Sequence, residues 1–408
     1  MSKLTPHKTI WVVSELFFPE ETSTAYIMTK ISQHLARSRN VHVLAGPASY
    51  QDSKIVAQEQ VLENIQISRV KVSALDKDKL IQRVRRLLGL SWKLGILLFR
   101  KAKKGDDVLL VTNPAPLLIL AAVICRMKGL KCYTIVHDVF PENLIAAGLI
   151  KPGSLPYKML RSLFNRAYSR MSVLFVLGRD MQALFEQKLK RFKHKPALHV
   201  VENWADIDTI HPMLKQENAL IRELDLSRKI VFQFAGNLGR VQGLMELFMI
   251  IRSVNNPLLH FVFIGEGAMK NELQQYIREH GLTNITMLSS MPRSKQQEFL
   301  NATDIGIVSL QDGMIGLGVP SKSYNILAAG KPILYIGDRE GEIGRMVEEA
   351  KVGWCFKLQD PAPLQAFLDG LNADSIPTIT QMGHTARSLA ENQYAKELIL
   401  DKYSKVFG

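Results

Sequence analysis

Short apolar runs alternate with amphipathic segments along most of the chain, and the alternation predicts strands followed by helices. Residues 8–13 form the first run. The segment 21–38 turns helical after it, with Ile27, Ile31 and Leu35 one turn apart and Thr22 to Thr24 available as caps. VHVLAG at 41–46 predicts a second strand. The order resumes with DVLLVTN at 107–113, an apolar helix at 115–128, CYTIVHD at 132–138, a helix near 155–169, SVLFVL at 172–177 and a helix from Arg179. This series ends near LHVVENW at 198–204, and a polar stretch containing Pro212 runs from 205 to 228. A second series follows, with strands expected at 229–236, 260–267, 284–290, 304–310 and 332–337 and helices at 241–254, 269–280, 294–301, 321–329 and 341–350.

These strands are apolar throughout and not at every second residue, as parallel strands covered on both faces are. The fold class is therefore α/β, in two domains of similar construction with a cleft between them. The first spans 1–204 and the second 205–383; the closing segment 384–408, with a helix read at 384–402, is expected to pack back on the N-terminal domain. Ligands bind such sheets at the carboxyl ends of the strands. Chemistry is thus expected in the loops at 14–22, 112–116, 137–143, 236–243, 265–268 and 311–321.

With 408 residues, 47% of them apolar, the chain has material for about two to three cores, which excludes a disorder-dominated protein. Cys125, Cys132 and Cys355 show no C-x-x-C spacing and fit a reducing compartment without structural zinc. No apolar run approaches the roughly 18 residues of a membrane span, and Ile10 to Val13 is too short for a signal-peptide core. Folding in the cytoplasm is expected. The net charge of +14 favours anionic partners without choosing among nucleic acid, acidic lipid and phosphorylated substrates.

FAGNLGRVQG at 234–243 places Gly236 and Gly239 between an apolar strand and a helix, where backbone amides can approach a phosphate and Arg240 can add a charge-assisted contact. A glycine turn whose arginine faces water is the other reading, and the G-x-G-x-x-G spacing of dinucleotide sites is absent. In IGLGVPSKSYNILAAGKPILYIGD, 315–338, a helix begins near Ser321 with Lys322 in its first turn, where a cation gains nothing from the helix dipole. A ligand phosphate explains that placement better than helix stability does; a solvated lysine is the alternative. VHDVFPENL, 136–144, packs His137, Asp138 and Glu142 into a strand end and its loop, suited to orienting hydroxyl groups or moving a proton. His137 and Asp138 are adjacent and project to opposite faces of a continuing strand, which argues against a shared metal. In FFPEETSTAY, 17–26, Glu20, Glu21 and the threonines either meet a phosphate or cap a helix.

The segment 82–104 carries eight Arg or Lys residues and no acid among leucines and Trp92. That mixture suits an interfacial helix on anionic lipid, and a core helix flanked by surface lysines fits it too. No recognition-helix, zinc-finger or aromatic RNA-binding signature accompanies the charge, so no nucleic-acid partner is expected.

On these residues the chain resembles the retaining glycosyltransferases of family four, in the branch that builds bacterial colanic acid, O-antigen and capsule polysaccharides. The resemblance is carried by VPSKSYNILAAGKPIL at 319–334, FAGNLGRVQGL at 234–244, HDVFPE at 137–142, FFPE at 17–20 and IGEG at 264–267. It implies the GT-B architecture, two Rossmann-like domains facing each other across a cleft, with the acceptor mainly on the N-terminal domain and the nucleotide sugar mainly on the C-terminal one. Retention of anomeric configuration is implied, and no metal or other cofactor. Gly236, Asn237 and Gly239 would line the donor diphosphate, Arg240 and Lys322 would offset its charge, and Glu266 and Ser321 would also face the donor. The loop from Leu288 to Pro292 would lie beside the base, with UDP favoured and GDP the other choice. His137 would contact the donor sugar, and Asp138 and Glu142 would position it or the acceptor.

Many members carry two glutamates eight positions apart where this chain has Leu317 and Asn325. Asn325 can still hydrogen-bond a ribose, and Glu342 can stand in for the missing acid. The acceptor implied is a lipid-linked saccharide or oligosaccharide, reached by peripheral contact of 82–104 with the anionic inner face of the plasma membrane. A nucleotide-sugar 2-epimerase on the same fold and a non-catalytic membrane-associated assembly subunit are the competing functions.

Overall fold

The computed structural model describes residues 8–48, 61–62, 64–71 and 80–407. The first seven residues, part of the N-terminal reading above, lie outside them. The chain divides into two compact units, residues 1–201 with 400–408, and residues 202–399.

Unit 1 contains β1 (Thr9–Ser14), α1 (Ser23–Ala36), β2 (Asn40–Ala45), β3 (Val61–Leu62), β4 (Ile65–Arg69), α2 (Leu80–Lys101), β5 (Asp107–Val111), α3 (Ala115–Lys128), β6 (Lys131–Val136), α4 (Glu142–Ala146), α5 (Leu155–Tyr168), β7 (Val173–Val176), α6 (Arg179–Leu189) and β8 (Ala197–Val200). The sheet order is β3-β4-β2-β1-β5-β6-β7-β8, parallel except for the β3–β4 pair. The apolar runs at 10–13 and 107–111 became its buried central strands. Thr22 caps α1 by accepting from the Ala25 amide, and Ser154 caps α5 by accepting from Tyr157. Right-handed crossovers put α2, α3, α5 and α6 on one face of the sheet and α1 on the other.

Unit 2 contains α7 (Ala219–Glu223), β9 (Ile230–Ala235), α8 (Leu244–Ser253), β10 (Leu259–Ile264), α9 (Lys270–His280), β11 (Ile285–Leu288), α10 (Gln296–Asn301), β12 (Ile305–Ser309), α11 (Lys322–Ala328), β13 (Ile333–Ile336), α12 (Glu342–Ala350), β14 (Gly353–Phe356), α13 (Pro361–Gly370) and α14 (Ile376–Gln393). Its six strands are all parallel, in the order β11-β10-β9-β12-β13-β14. Phe232 stacks on Phe261 at 5.1 Å, and Phe263 meets Phe248 at 4.6 Å, filling the core against α8. The three cysteines are free and buried.

The single closing helix expected at 384–402 is corrected. The chain forms α14, breaks at Tyr394, and resumes as α15 (Lys396–Phe407). The break is the place where Ala395 bridges Ala205 and the Tyr394 carbonyl accepts from the Ala205 amide at 2.7 Å, a pairing that a continuous helix would forbid. Beyond it, Tyr403 meets Phe175 edge-on at 4.8 Å and Phe407 lies 4.3 Å from Tyr133, so the last turns belong to unit 1.

Along α2, Leu90, Ser91, Leu94 and Leu98 are buried, while Leu88, Trp92 and Phe99 are exposed. The two faces should respond differently to truncation. Leu94→Ala is expected to cost about 2–5 kcal/mol, and Trp92→Ala to change stability by less than about 0.5 kcal/mol, read from denaturant midpoints. Equal losses would mean that the exposed face is packed in solution.

Candidate active site

In unit 2, β9 lies between β10 and β12, and the strand order reverses there. The loops leaving β9 and β12 therefore part at their carboxyl ends, the position at which open α/β sheets bind ligands. Gly236 and Gly265 follow β9 and β10 with φ of 147° and 154°, conformations that other residues rarely adopt. A Cβ on Gly265 would sit 1.9 Å from the Gly236 carbonyl oxygen, and one on Gly267 2.3 Å from that of Leu238. Hydrogen bonds from Gly236 N to Ile264 O at 2.9 Å, Leu238 N to Glu266 O at 2.8 Å and Met269 N to Leu238 O at 2.9 Å zip the two loops together. Gly236, Asn237 and Arg240 stay exposed, while Gly239 is buried.

Lys322 rises beside this loop. Its Nζ lies 3.1 Å from the centroid of the Phe234 ring, and a Cβ on Gly236 would be 3.9 Å from its Cδ. The residue keeps some surface exposure, but protein surrounds the amine, and that burial holds its pKa well below the usual lysine range. Among the described residues no carboxylate offsets it. Ser321, just ahead of α11, is half-buried and makes no side-chain cap.

Glu266 is exposed and its Oε1 accepts from Lys270 Nζ at 2.6 Å; that hydrogen bond pulls its pKa down. Lys270 also reaches Ser289 Oγ at 3.3 Å, and the Leu288 carbonyl accepts from Gly265 N at 3.1 Å. Leu288 is thus adjacent to the paired loops. Glu342 opens α12 after β13 and is buried.

Asn325 is buried in α11, and its Oδ1 accepts from the Asp206 amide at 3.1 Å, which ties it to the chain entering unit 2. Leu317, at the other replaced position, is also buried. Sequence reasoning passed over Gln242, whose buried Oε1 has no hydrogen-bond partner among the described residues and would lie 2.7 Å from a Cβ on Gly239. An amide in a polar loop carries no sequence signal that separates it from a solvated one.

In unit 1, His137 and Asp138 leave β6 together because Thr112, at the end of β5, accepts from both amides, at 3.1 and 3.0 Å. Thr112 lies in the loop at 112–116 that the sequence marks without giving it a role of its own. Burial lowers the His137 pKa from 6.5 to about 4, and its buried Nε2 has no hydrogen-bond partner among the described residues, so the ring is neutral at neutral pH. Burial raises the Asp138 carboxyl, and a 2.8 Å hydrogen bond from Asn143 Nδ2 moderates the rise. Both Glu142 oxygens lie 2.6 Å from the Nζ of buried Lys188 on α6, and Tyr157 of α5 donates to Oε1 at 3.5 Å. Glu142 thus anchors the loop through Lys188, whereas the buried His137 Nε2 has no hydrogen-bond partner among the described residues.

Residues 216–389 match the family model described as Glycosyl transferases group 1. The chain is 32% identical over 395 residues to a probable glycosyltransferase of Pseudomonas aeruginosa, WbjE, covering 97% of this chain and 96% of the relative. WcaI of Escherichia coli, named for colanic acid biosynthesis, is 24% identical over 49% of each chain. Among solved structures, HepE of Anabaena in complex with UDP and glucose superposes with a TM-score of 0.73 at 15% identity, covering 98% of this chain and 99% of that one. WaaG, a glycosyltransferase involved in lipopolysaccharide biosynthesis, superposes with a TM-score of 0.68 at 14% identity, covering 97% and 99%. These neighbours share the GT-B fold, with its two parallel α/β sheets.

The buried imidazole makes stability depend on pH. The unfolded chain takes up a proton on His137 near 6.5 and the folded chain only near 4, so the unfolded state binds more protons between these values. The contribution is complete above the higher value and is lost as pH falls toward the lower, by on the order of 3 kcal/mol. His137→Gln should flatten this part of the profile, measured by denaturant unfolding at a series of pH values.

Proposed function

The chain belongs to the group 1 glycosyltransferases, and from that premise we propose that it transfers a sugar, with retention, from a UDP-sugar to a lipid-linked saccharide in bacterial surface polysaccharide synthesis. The observation that carries the donor assignment is the Lys322 amine, buried beside Gly236 at the reversal of strand order with no carboxylate offsetting it among the described residues. A buried ammonium needs a counter-charge, and a diphosphate on the glycine loop supplies one. Arg240, exposed in the next turn, adds a second positive group.

Both cations then act where negative charge grows as the nucleotide diphosphate departs, which lowers the barrier more than it tightens ground-state binding. This reading uses protein cations and no metal cofactor. Retention follows from departure of the diphosphate and attack by the acceptor hydroxyl from the same face. The neutral His137 ring can accept or donate a hydrogen bond to a sugar hydroxyl without adding charge, and Asp138 orients hydroxyls beside it. UDP is favoured because HepE was solved with UDP and glucose. The names of WcaI and WaaG, with the basic α2, support a lipid-linked acceptor.

Calorimetric titration with UDP, GDP and ADP, repeated in EDTA, tests the donor assignment. UDP is expected to bind selectively and without regard to EDTA, and Lys322→Ala and Arg240→Ala each to weaken it by about tenfold or more. The diphosphate should raise the lowered lysine pKa, so binding at mildly alkaline pH takes up a proton, visible as a dependence of the heat on buffer ionisation enthalpy and absent in Lys322→Ala. Folded protein that binds none of the three nucleotides would refute the proposal.

A further inference from the structure

We propose that unit 1 carries a separate anion site, a cavity between the edge of its sheet and α15 that takes a small phosphate monoester with an apolar body. The cavity shares no residue with the loops assigned to the donor or the sugar, and it does not rest on the donor reading.

The cavity follows from how the sheet is covered. Side chains alternate along a strand, so the register of β6, β7 and β8 turns Tyr133, Val173, Phe175 and His199 to one side of the sheet. Helix α15 lies on that side, with Tyr403 against Phe175 and Phe407 against Tyr133. Strand β8 is the last of the sheet, and beyond these rings it leaves a space of about 730 Å³ against the helix. Sites for small molecules span roughly 300–1,000 Å³.

Its walls are partly apolar and its charge is of one sign. Val173, Val201, Val406 and the Tyr133 ring supply apolar surface, Lys131, Lys402 and Lys405 supply charge, and among the described residues no acid lines it. Lys402, Lys405 and Val406 are three and four positions apart, one stripe of α15, while Asp401 turns away to His34 at 3.2 Å. Lys131 and Lys405 are exposed, and neither forms an ion pair among the described residues. Lys131 acts through space on Asp107, but Arg39 holds that carboxylate at 3.1 Å. Ser172 Oγ accepts from the Cys132 amide at 3.1 Å, which leaves its O–H as a donor.

Charge and shape select the occupant. Ammonium groups are compact charges with three donors each, suited to phosphate oxygens. A phosphate monoester carries about 1.5–2 negative charges at neutral pH, whereas a single carboxylate would leave more of the positive charge uncompensated. The valines and the tyrosine ring favour an apolar body on the ester. The loop before β8 adds Lys190, Arg191, Lys193 and Lys195, all exposed and at the same amino end of the sheet as Lys131 and Ser172. Their field draws anions toward that end. The His137 loop is at the other end, since Lys131 opens β6 and His137 follows it, about 20 Å of extended chain away. Both ends of unit 1 can therefore be occupied together.

The test is calorimetric titration of the full chain with phenyl phosphate, inorganic phosphate and benzoate, each with and without saturating UDP. Phenyl phosphate is expected to bind at millimolar affinity or tighter, more tightly than the other two, equally with and without UDP, and less tightly as salt is raised. Lys131→Glu and Lys405→Glu, both at exposed positions and verified as folded by their denaturant midpoints, should each weaken it about tenfold or more and leave UDP titration unchanged. No binding of phenyl phosphate to folded protein, its displacement by UDP, equal binding of benzoate or inorganic phosphate, or charge-reversed variants that bind like the natural chain would overturn the proposal. Phenyl phosphate binding through Lys131 and Lys405 in protein that binds no UDP would sink the donor reading alone.

Discussion

The candidate donor site depends on a backbone contact that only glycine permits. Where Gly265 passes the Gly236 carbonyl, even one methyl group would fall within 1.9 Å of the oxygen. Because that space is empty of side chain, the loops after β9 and β10 lie backbone to backbone and satisfy one another's amides and carbonyls. Their outer edge, Asn237 and Arg240, is thereby turned to solvent, and Lys322 has room to come up beside Gly236. The parallel order of the sheet brings these loops together at one end, and the glycines determine how closely they meet.

Two buried lysines show how environment assigns a role. Burial lowers the pKa of both Lys188 and Lys322. For Lys188 the Glu142 carboxylate opposes the shift at 2.6 Å, and Tyr157 completes the contact. That arrangement is closed within the protein and fixes the His137 loop against α5 and α6. Lys322 has an aromatic face and, among the described residues, no carboxylate, and a cation–π contact of about 1–2 kcal/mol compensates only part of the desolvation of an ammonium. The second lysine is therefore the one whose charge state an incoming anion can change. His137 shows the same logic in unit 1: burial keeps it neutral and leaves a ring nitrogen without a partner among the described residues.

The fold was legible in the sequence because buried parallel strands are continuously apolar and the helices between them are amphipathic. DVLLV and IVFQFA announce themselves by this rule. The pair β3 and β4 did not, since β3 is two residues long and β4 mixes Gln66, Ser68 and Arg69 with its isoleucines. Glycine and charge marked Gly236, Gly239, Arg240 and Lys322, whose placement follows from local chain geometry. Partners distant in sequence could not be read that way. Asn325 meets the Asp206 amide across 119 positions and Glu142 meets Lys188 across 46, contacts that the local sequence does not announce. The break at Tyr394 was hidden for the same reason, since Ala205 on a remote segment interrupts the helix.

Helix α2 illustrates why a basic apolar segment admits two readings that a structure can reconcile. Its composition suits a core helix and an interfacial one equally, because leucines occur nearly all round it. The fold divides them: Leu90, Leu94 and Leu98 go to the sheet, and Leu88, Trp92 and Phe99 go outward. A core role thus accounts for one face only. Acid-free helices α3 and α5 extend the outward face, and the crossovers that place all three on one side of the sheet exclude α1 from it. Eleven of the 52 arginines and lysines of the chain, and none of its 38 acids, therefore lie on these three helices of one unit.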